Sequence, residues 1–70
     1  MKIKYLELIL IKVFNMRKNY DYQIINDTLI VMNGYVETML EIEDMITDWH
    51  MTYIKKEPTG YCKVTFVKRS

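Results

Sequence analysis

The sequence contains no alanine, and its 70 residues include only one cysteine, one histidine, one proline and two glycines. Each scarcity removes a class of function. A single cysteine, Cys62, rules out an internal disulfide and any zinc site built from several thiolates. Its expected place is a buried or half-buried strand position in a reducing compartment. The single histidine, His50, lies twelve residues from Cys62 and on a different expected element, so no thiol–imidazole pair is indicated. A lone histidine at a helix-to-strand junction also makes no metal site. With only Gly34 and Gly60, no glycine-rich loop is available to cradle phosphates.

Long apolar runs are missing as well. Residues 5–14 are the most hydrophobic stretch, but Glu7 and Lys12 interrupt it. It is far shorter than the roughly 20 residues that span a bilayer, and no small-residue cleavage site follows. The expectation is a soluble, cytoplasmic protein with no membrane association. Abundant Ile, Lys, Tyr and Asn together with absent alanine match A/T-rich codon usage. That composition fits a low-GC bacterium, or a phage or mobile element living in one.

What is present is an ordinary globular composition, 50% hydrophobic and 27% charged, which argues against disorder. Residues 1–70 read as one small domain. Such a domain buries only about 60% of its unfolded surface and is held by about 3–5 kcal/mol. Little stability is spare for a strained active site, and a homodimer would relieve the small core. Net charge is +1, too close to neutral to signal nucleic-acid binding by itself. Its distribution says more. Bases dominate residues 1–19 and 55–70, whereas residues 35–49 hold acids and no base.

The acids Glu37, Glu41, Asp44 and Asp48 recur at spacings of four, three and four. On a helix these fall within roughly 60° of arc. Tyr35, Val36, Met39, Ile42, Ile46 and Trp49 occupy the opposite side. The spacing predicts an amphipathic helix over 35–49 with one dry and one acidic face. Thr38 and Glu41 have capping-box spacing, so a start after Thr38 is an alternative.

Other elements follow from periodicity. Residues 2–14 read as a strand because Ile9, Ile11 and Val13 are β-branched. A helix there is the alternative, and it would leave Leu8 and Ile11 available to a second subunit. Short strands are expected at 20–25 and 28–32 around an Asn26-Asp27 turn, and Asn33-Gly34 reads as a strand-to-helix turn. Residues 51–56 and 61–67 alternate about Glu57-Pro58-Thr59-Gly60, a type I turn. This predicts a β-hairpin with Cys62, Val64 and Phe66 facing the core. Lys68-Arg69-Ser70 reads as a frayed tail. The order is β-β-β-α-β-β, an α+β domain with one amphipathic helix packed on a small antiparallel sheet. The alternative is an all-β small barrel with a strand at 35–42.

No catalytic, cofactor-binding or metal-binding constellation is present, so the expectation is a protein that is not an enzyme. Glu37, Glu41, Asp44 and Asp48 are the candidate contacts for a host protein with a basic surface. Small size, missing catalytic parts and A/T-rich character together suggest a phage- or mobile-element-type inhibitor that occludes a host enzyme or defence protein. The alternative is a small nucleic-acid-binding or regulatory protein. It would use Lys55, Lys56 and Lys63 as cations, with Tyr53 and Tyr61 as stacking platforms.

Overall fold

A computed structural model describes residues 2–70, the side chains of Tyr53 and Ile54 apart. The elements are α1 (Ile3–Lys12), β1 (Tyr22–Asn26), β2 (Leu29–Tyr35), α2 (Val36–Met45), β3 (Trp49–Lys56) and β4 (Tyr61–Lys68). The strands form an antiparallel sheet in the order β1-β2-β4-β3. The α+β class therefore holds, and the barrel alternative fails because residues 36–45 are helical.

The main correction is at the start of the chain, where residues 3–12 are a helix and not a strand. The β-branched run favours a strand, but packing decides otherwise. A strand there would send Leu6, Leu8 and Leu10 to one face and Ile9, Ile11 and Val13 to the other. Both faces would then need cover, and this sheet has only one covered face. The helix instead stacks Leu6 and Leu10, four apart, fully buried on one side. Leu8 and Ile11 are left 47% and 45% exposed.

Register shows which face of the sheet is dry. Tyr22 lies opposite Met32, Met32 opposite Val64, and Ile30 opposite Phe66. Directly opposed residues share a face, and all five of these are fully buried. Gly34 lies opposite Cys62 on that same face. Met39 of α2 rests over Gly34, where an added Cβ would come within 2.7 Å of its Cε. The Asn33-Gly34 pair is thus not a turn. Both residues lie within β2, paired with Lys63 and Cys62, and glycine is there to let the helix approach closely. The chain enters α2 directly at Val36, whose N–H donates to the Gly60 carbonyl at 3.0 Å.

The helix α2 buries Met39 and Ile42 as expected, and Ile46 and Trp49 are buried too. It is shorter than the predicted 35–49, however. Helical bonding stops at Ile46, whose φ of −109° and ψ of 73° leave the helical region. A tight turn returns the chain to the sheet, closed by Trp49 N–H on the Ile46 carbonyl at 3.0 Å. Trp49 opens β3. Thr38 lies inside the helix and makes no cap, so the capping-box reading fails.

The C-terminal hairpin forms as predicted, with Cys62, Val64 and Phe66 buried. Gly60 N–H donates to the Glu57 carbonyl at 3.0 Å, and Gly60 takes φ +89°, a conformation that glycine adopts without strain. The expected frayed tail is tied down. Lys68 ends β4, Arg69 N–H donates to the Asp48 carbonyl at 2.6 Å, and Arg69 Nε donates to the Thr47 carbonyl at 3.1 Å. At the β1–β2 turn, Asn26 Oδ1 accepts from Thr28 N and Oγ1, both at 2.8 Å. This is the local bonding that makes Asn a turn residue.

Candidate functional site

Two glutamates hold the helices to opposite edges of the sheet. Both lie on the shoulder of their helix, beside the apolar arc and off the exposed face. Glu7 of α1 accepts a hydrogen bond from the Tyr22 hydroxyl at 2.7 Å, and Lys18 Nζ approaches the same oxygen at 3.4 Å. Tyr22 is on β1, one edge strand. Burial, and then the hydrogen bond and charge of Glu7, push the Tyr22 phenol up to about 12. Glu43 of α2 accepts the Met51 backbone N–H at 2.8 Å. Met51 is on β3, the other edge strand. Neither role follows from the acid spacing. The available signal is position, since a charged residue beside an apolar arc needs a specific partner.

With both helices on one face, their outer surfaces form a single layer. The outer face of α2 presents Glu37, Glu41 and Asp44, all exposed. Leu40 and Met45 flank them, 48% and 47% exposed. Helical geometry spreads these five side chains over about 140° of arc. The acidic stripe therefore exists, but it carries apolar borders that the acid spacing does not reveal. Asp48 does not belong to it. The helix ends before Asp48, which sits exposed in the following turn and has an interaction of its own. A hydrogen bond, aided by nearby positive charge including Lys68, holds its carboxyl below the ordinary range.

The outer face of α1 has the opposite sign. Around its arc the order is Ile11, Lys4, Leu8, Lys12, Tyr5, all exposed, spread over about 120°. Leu8 is central, with a lysine on each side of it. The only acid of α1, Glu7, is engaged with Tyr22 and Lys18. Among the described residues, Lys4, Lys12, Glu37, Glu41 and Asp44 form no ion pair.

The other sheet face is uncovered. Gln23, Val31, Thr65 and Thr52 line up across the strands, as do Leu29, Val67 and His50. Thr52 and Thr65 join hydroxyls at 2.6 Å. At one end Lys55 lies directly opposite Lys63. They border a shallow cleft of about 200 Å³ with Asn33, Glu57, Tyr61 and Cys62. Of the basic candidates, the structure thus brings Lys55 and Lys63 together. Lys56 lies opposite Cys62 and so belongs to the helix side of the sheet. Tyr61 is edge-on to Tyr35, with centroids 5.3 Å apart. The side chain of Tyr53 lies outside the described residues. Lys55 is also within 3.2 Å of Glu57, which lowers the local positive charge.

The Cys62 thiol is buried, donates to the Gly34 carbonyl at 3.3 Å, and is pushed up chiefly by burial. That is the opposite of an activated nucleophile. His50 lies opposite Val67 on the uncovered face. Among the described residues, no three His, Cys, Asp or Glu side chains gather as metal ligands. No described helix is long and apolar enough to cross a membrane. In comparisons with family models, curated proteins and solved structures, nothing matches this chain.

Proposed function

We propose that the chain is a non-enzymatic protein-binding module that lays the outer face of α2 on a basic surface of its partner. One observation carries this reading. Leu40 and Met45 stand about half exposed beside Glu37, Glu41 and Asp44, which make no ion pair among the described residues. Apolar contact supplies affinity, while the acids steer the encounter and fix its register. The inner side of α2 is fixed by Met39 and Ile42 in the core, so the face is presented on a rigid element. The A/T-rich character and small size favour a host enzyme or defence protein as partner, occluded by a phage- or mobile-element-type inhibitor in the host cytoplasm.

The test is affinity capture from a lysate, with and without nuclease, compared with the Glu41→Lys/Asp44→Lys variant. A protein partner that survives nuclease and is lost with the double reversal is the expected result. Recovery of nucleic acid alone would overturn the reading.

A second reading rests on Lys55 and Lys63. Like charges directly opposed across strands are destabilising, so their placement beside a cleft favours an anionic ligand such as a single-stranded nucleic acid. Loss of binding in Lys55→Glu/Lys63→Glu would support it. The salt slope should then fall by roughly one unit for each phosphate that the variant no longer neutralises.

A further inference from the structure

We infer that the chain forms a two-fold homodimer in which α1 of each copy lies on α2 of the other. The inference rests on the reading of the α2 face as a protein-binding surface, and names a second copy as an occupant of that face. Three observations lead to it.

The first is position. Both helices cover the same face of the sheet, α1 reaching β1 through Glu7 and Tyr22, α2 reaching β3 through Glu43 and Met51. These strands are the opposite edges of the sheet. α2 also lies over β2 and β4, and both helices bury their inner sides in the same core, so their outer faces are directed away from the sheet. One choice of two-fold axis that turns such a layer onto another places α1 over α2 and α2 over α1. The contact is isologous and closes on itself.

The second is charge. The outer face of α1 carries Lys4 and Lys12 and no free acid; that of α2 carries Glu37, Glu41 and Asp44 and no base. Among the described residues none of these five has an ion-pair partner within its own chain. Two copies of α1 face to face would oppose lysine to lysine, and two copies of α2 acid to acid. Only the crossed arrangement pairs opposite signs, and symmetry makes it do so twice.

The third is apolar surface. Tyr5, Leu8 and Ile11 are 62%, 47% and 45% exposed on α1, and Leu40 and Met45 nearly half exposed on α2. These five are half of the exposed large hydrophobic residues described. They are concentrated on the one layer where the crossed arrangement covers them. A small stable interface takes about 600 Å² from each partner, a modest share of the 4735 Å² that one copy exposes. So small a domain also gains most from sharing a core boundary.

The dimer would mask the acidic face until a basic partner displaces α1, so self-association and target binding compete. Two variants test the crossed pairing. Lys4→Glu/Lys12→Glu makes both helix faces acidic, and Glu41→Lys/Asp44→Lys makes both basic. Sedimentation of the purified full chain should show a dimer for the parent protein. Its dissociation constant should rise as salt goes from about 0.1 M to about 1 M and screening shortens from about 10 Å to about 3 Å. Each variant alone should self-associate at least about tenfold more weakly. Mixed in equal amounts, they should form a heterodimer, because each acidic face then meets a basic one. A parent protein that is monomeric throughout, chains that grow without limit, or folded variants that do not recombine would each overturn the dimer. None of these outcomes bears on the proposed function, which is read separately. Lys4→Glu/Lys12→Glu keeps α2 unaltered and should still capture the target. If it fails to do so while the dimer stands, the target-binding reading falls alone.

Discussion

The two helices are alike in architecture and opposite in surface. Each has ten residues and buries two side chains, Leu6 and Leu10 in α1, Met39 and Ile42 in α2. Each sends one glutamate to an edge strand. Yet the glutamates do different work. Glu7 meets a side-chain hydroxyl and a lysine, while Glu43 meets a backbone N–H. The outer faces carry opposite charge. The inner half of each helix is thus specified by the fold, and the outer half is free of it. That freedom is why the outer faces are informative about binding and the inner faces are not.

If inner and outer halves are as separate as this, substitutions should grade from severe to silent across the helix layer. The largest effect is expected beneath it. Phe66→Ala removes a fully buried ring from β4 and should cost about 3–5 kcal/mol. That equals the whole stability of so small a domain, and urea titration should show a largely unfolded chain. A folded Phe66→Ala protein would mean that the helices do not depend on this strand.

The glutamates should differ next. Glu7→Ala leaves the hydroxyl of fully buried Tyr22 without its acceptor, at about 1–3 kcal/mol, whereas the Met51 donor freed by Glu43→Ala lies half-buried on an edge strand, where water can replace the carboxylate. Chemical denaturation of the two variants should rank Glu7→Ala as the more damaging. Equal losses would erase the distinction drawn between them.

Gly34→Ala should cost about 1 kcal/mol, the lower end for overpacking, because the added methyl meets the movable end of Met39. A much larger loss would show that α2 cannot shift, and no loss would show that it is loosely seated.

The pH dependence separates the helices in another way. Tyr22 is about 12 when folded and near 10 when free. The folded form therefore favours the protonated phenol. Its contribution to stability is complete below pH 10 and is lost as pH climbs from about 10 to about 12. Denaturation midpoints should fall through that window, and Tyr22→Phe should flatten the fall. The smallest effect is expected outside. Leu8→Ala and Leu40→Ala should each leave monomer stability within about 0.5 kcal/mol, measured at concentrations too low for association.

The legible parts of the fold are those where one period dominates. The acids of α2 recur at helical spacing with an apolar arc opposite, and the hairpin alternates around a Pro-Thr-Gly turn. Residues 3–12 are harder, because β-branching favours a strand while the four-residue spacing of Leu6 and Leu10 favours a helix. Only the supply of covering surface decides between them, and that is a property of the whole chain. Asn33-Gly34 misleads for a similar reason. Turn chemistry is local, but the need for space above Gly34 comes from Met39. At the candidate site, Glu37, Glu41 and Asp44 are readable from spacing, while Asp48 is misplaced because the helix ends early. Acid spacing marks only the centre of the face, so it is silent on the apolar borders Leu40 and Met45. Of the basic set, Lys55 and Lys63 meet across the strands, which alternation implies only once the register shift between Tyr53 and Lys55 is included.

The Glu43 bond also bears on how these molecules crowd together. An edge strand usually tempts other strands to add to it, and unchecked addition ends in fibres. On β3 the Met51 donor is already occupied, and a carboxylate stands where an incoming backbone would have to lie. The Lys55 and Lys56 side chains follow further along the same strand, adding charge that such an approach would have to desolvate. Sheet-to-sheet growth is thus discouraged on that side. Strand addition at β3 should stay suppressed for as long as the helix keeps its carboxylate in place.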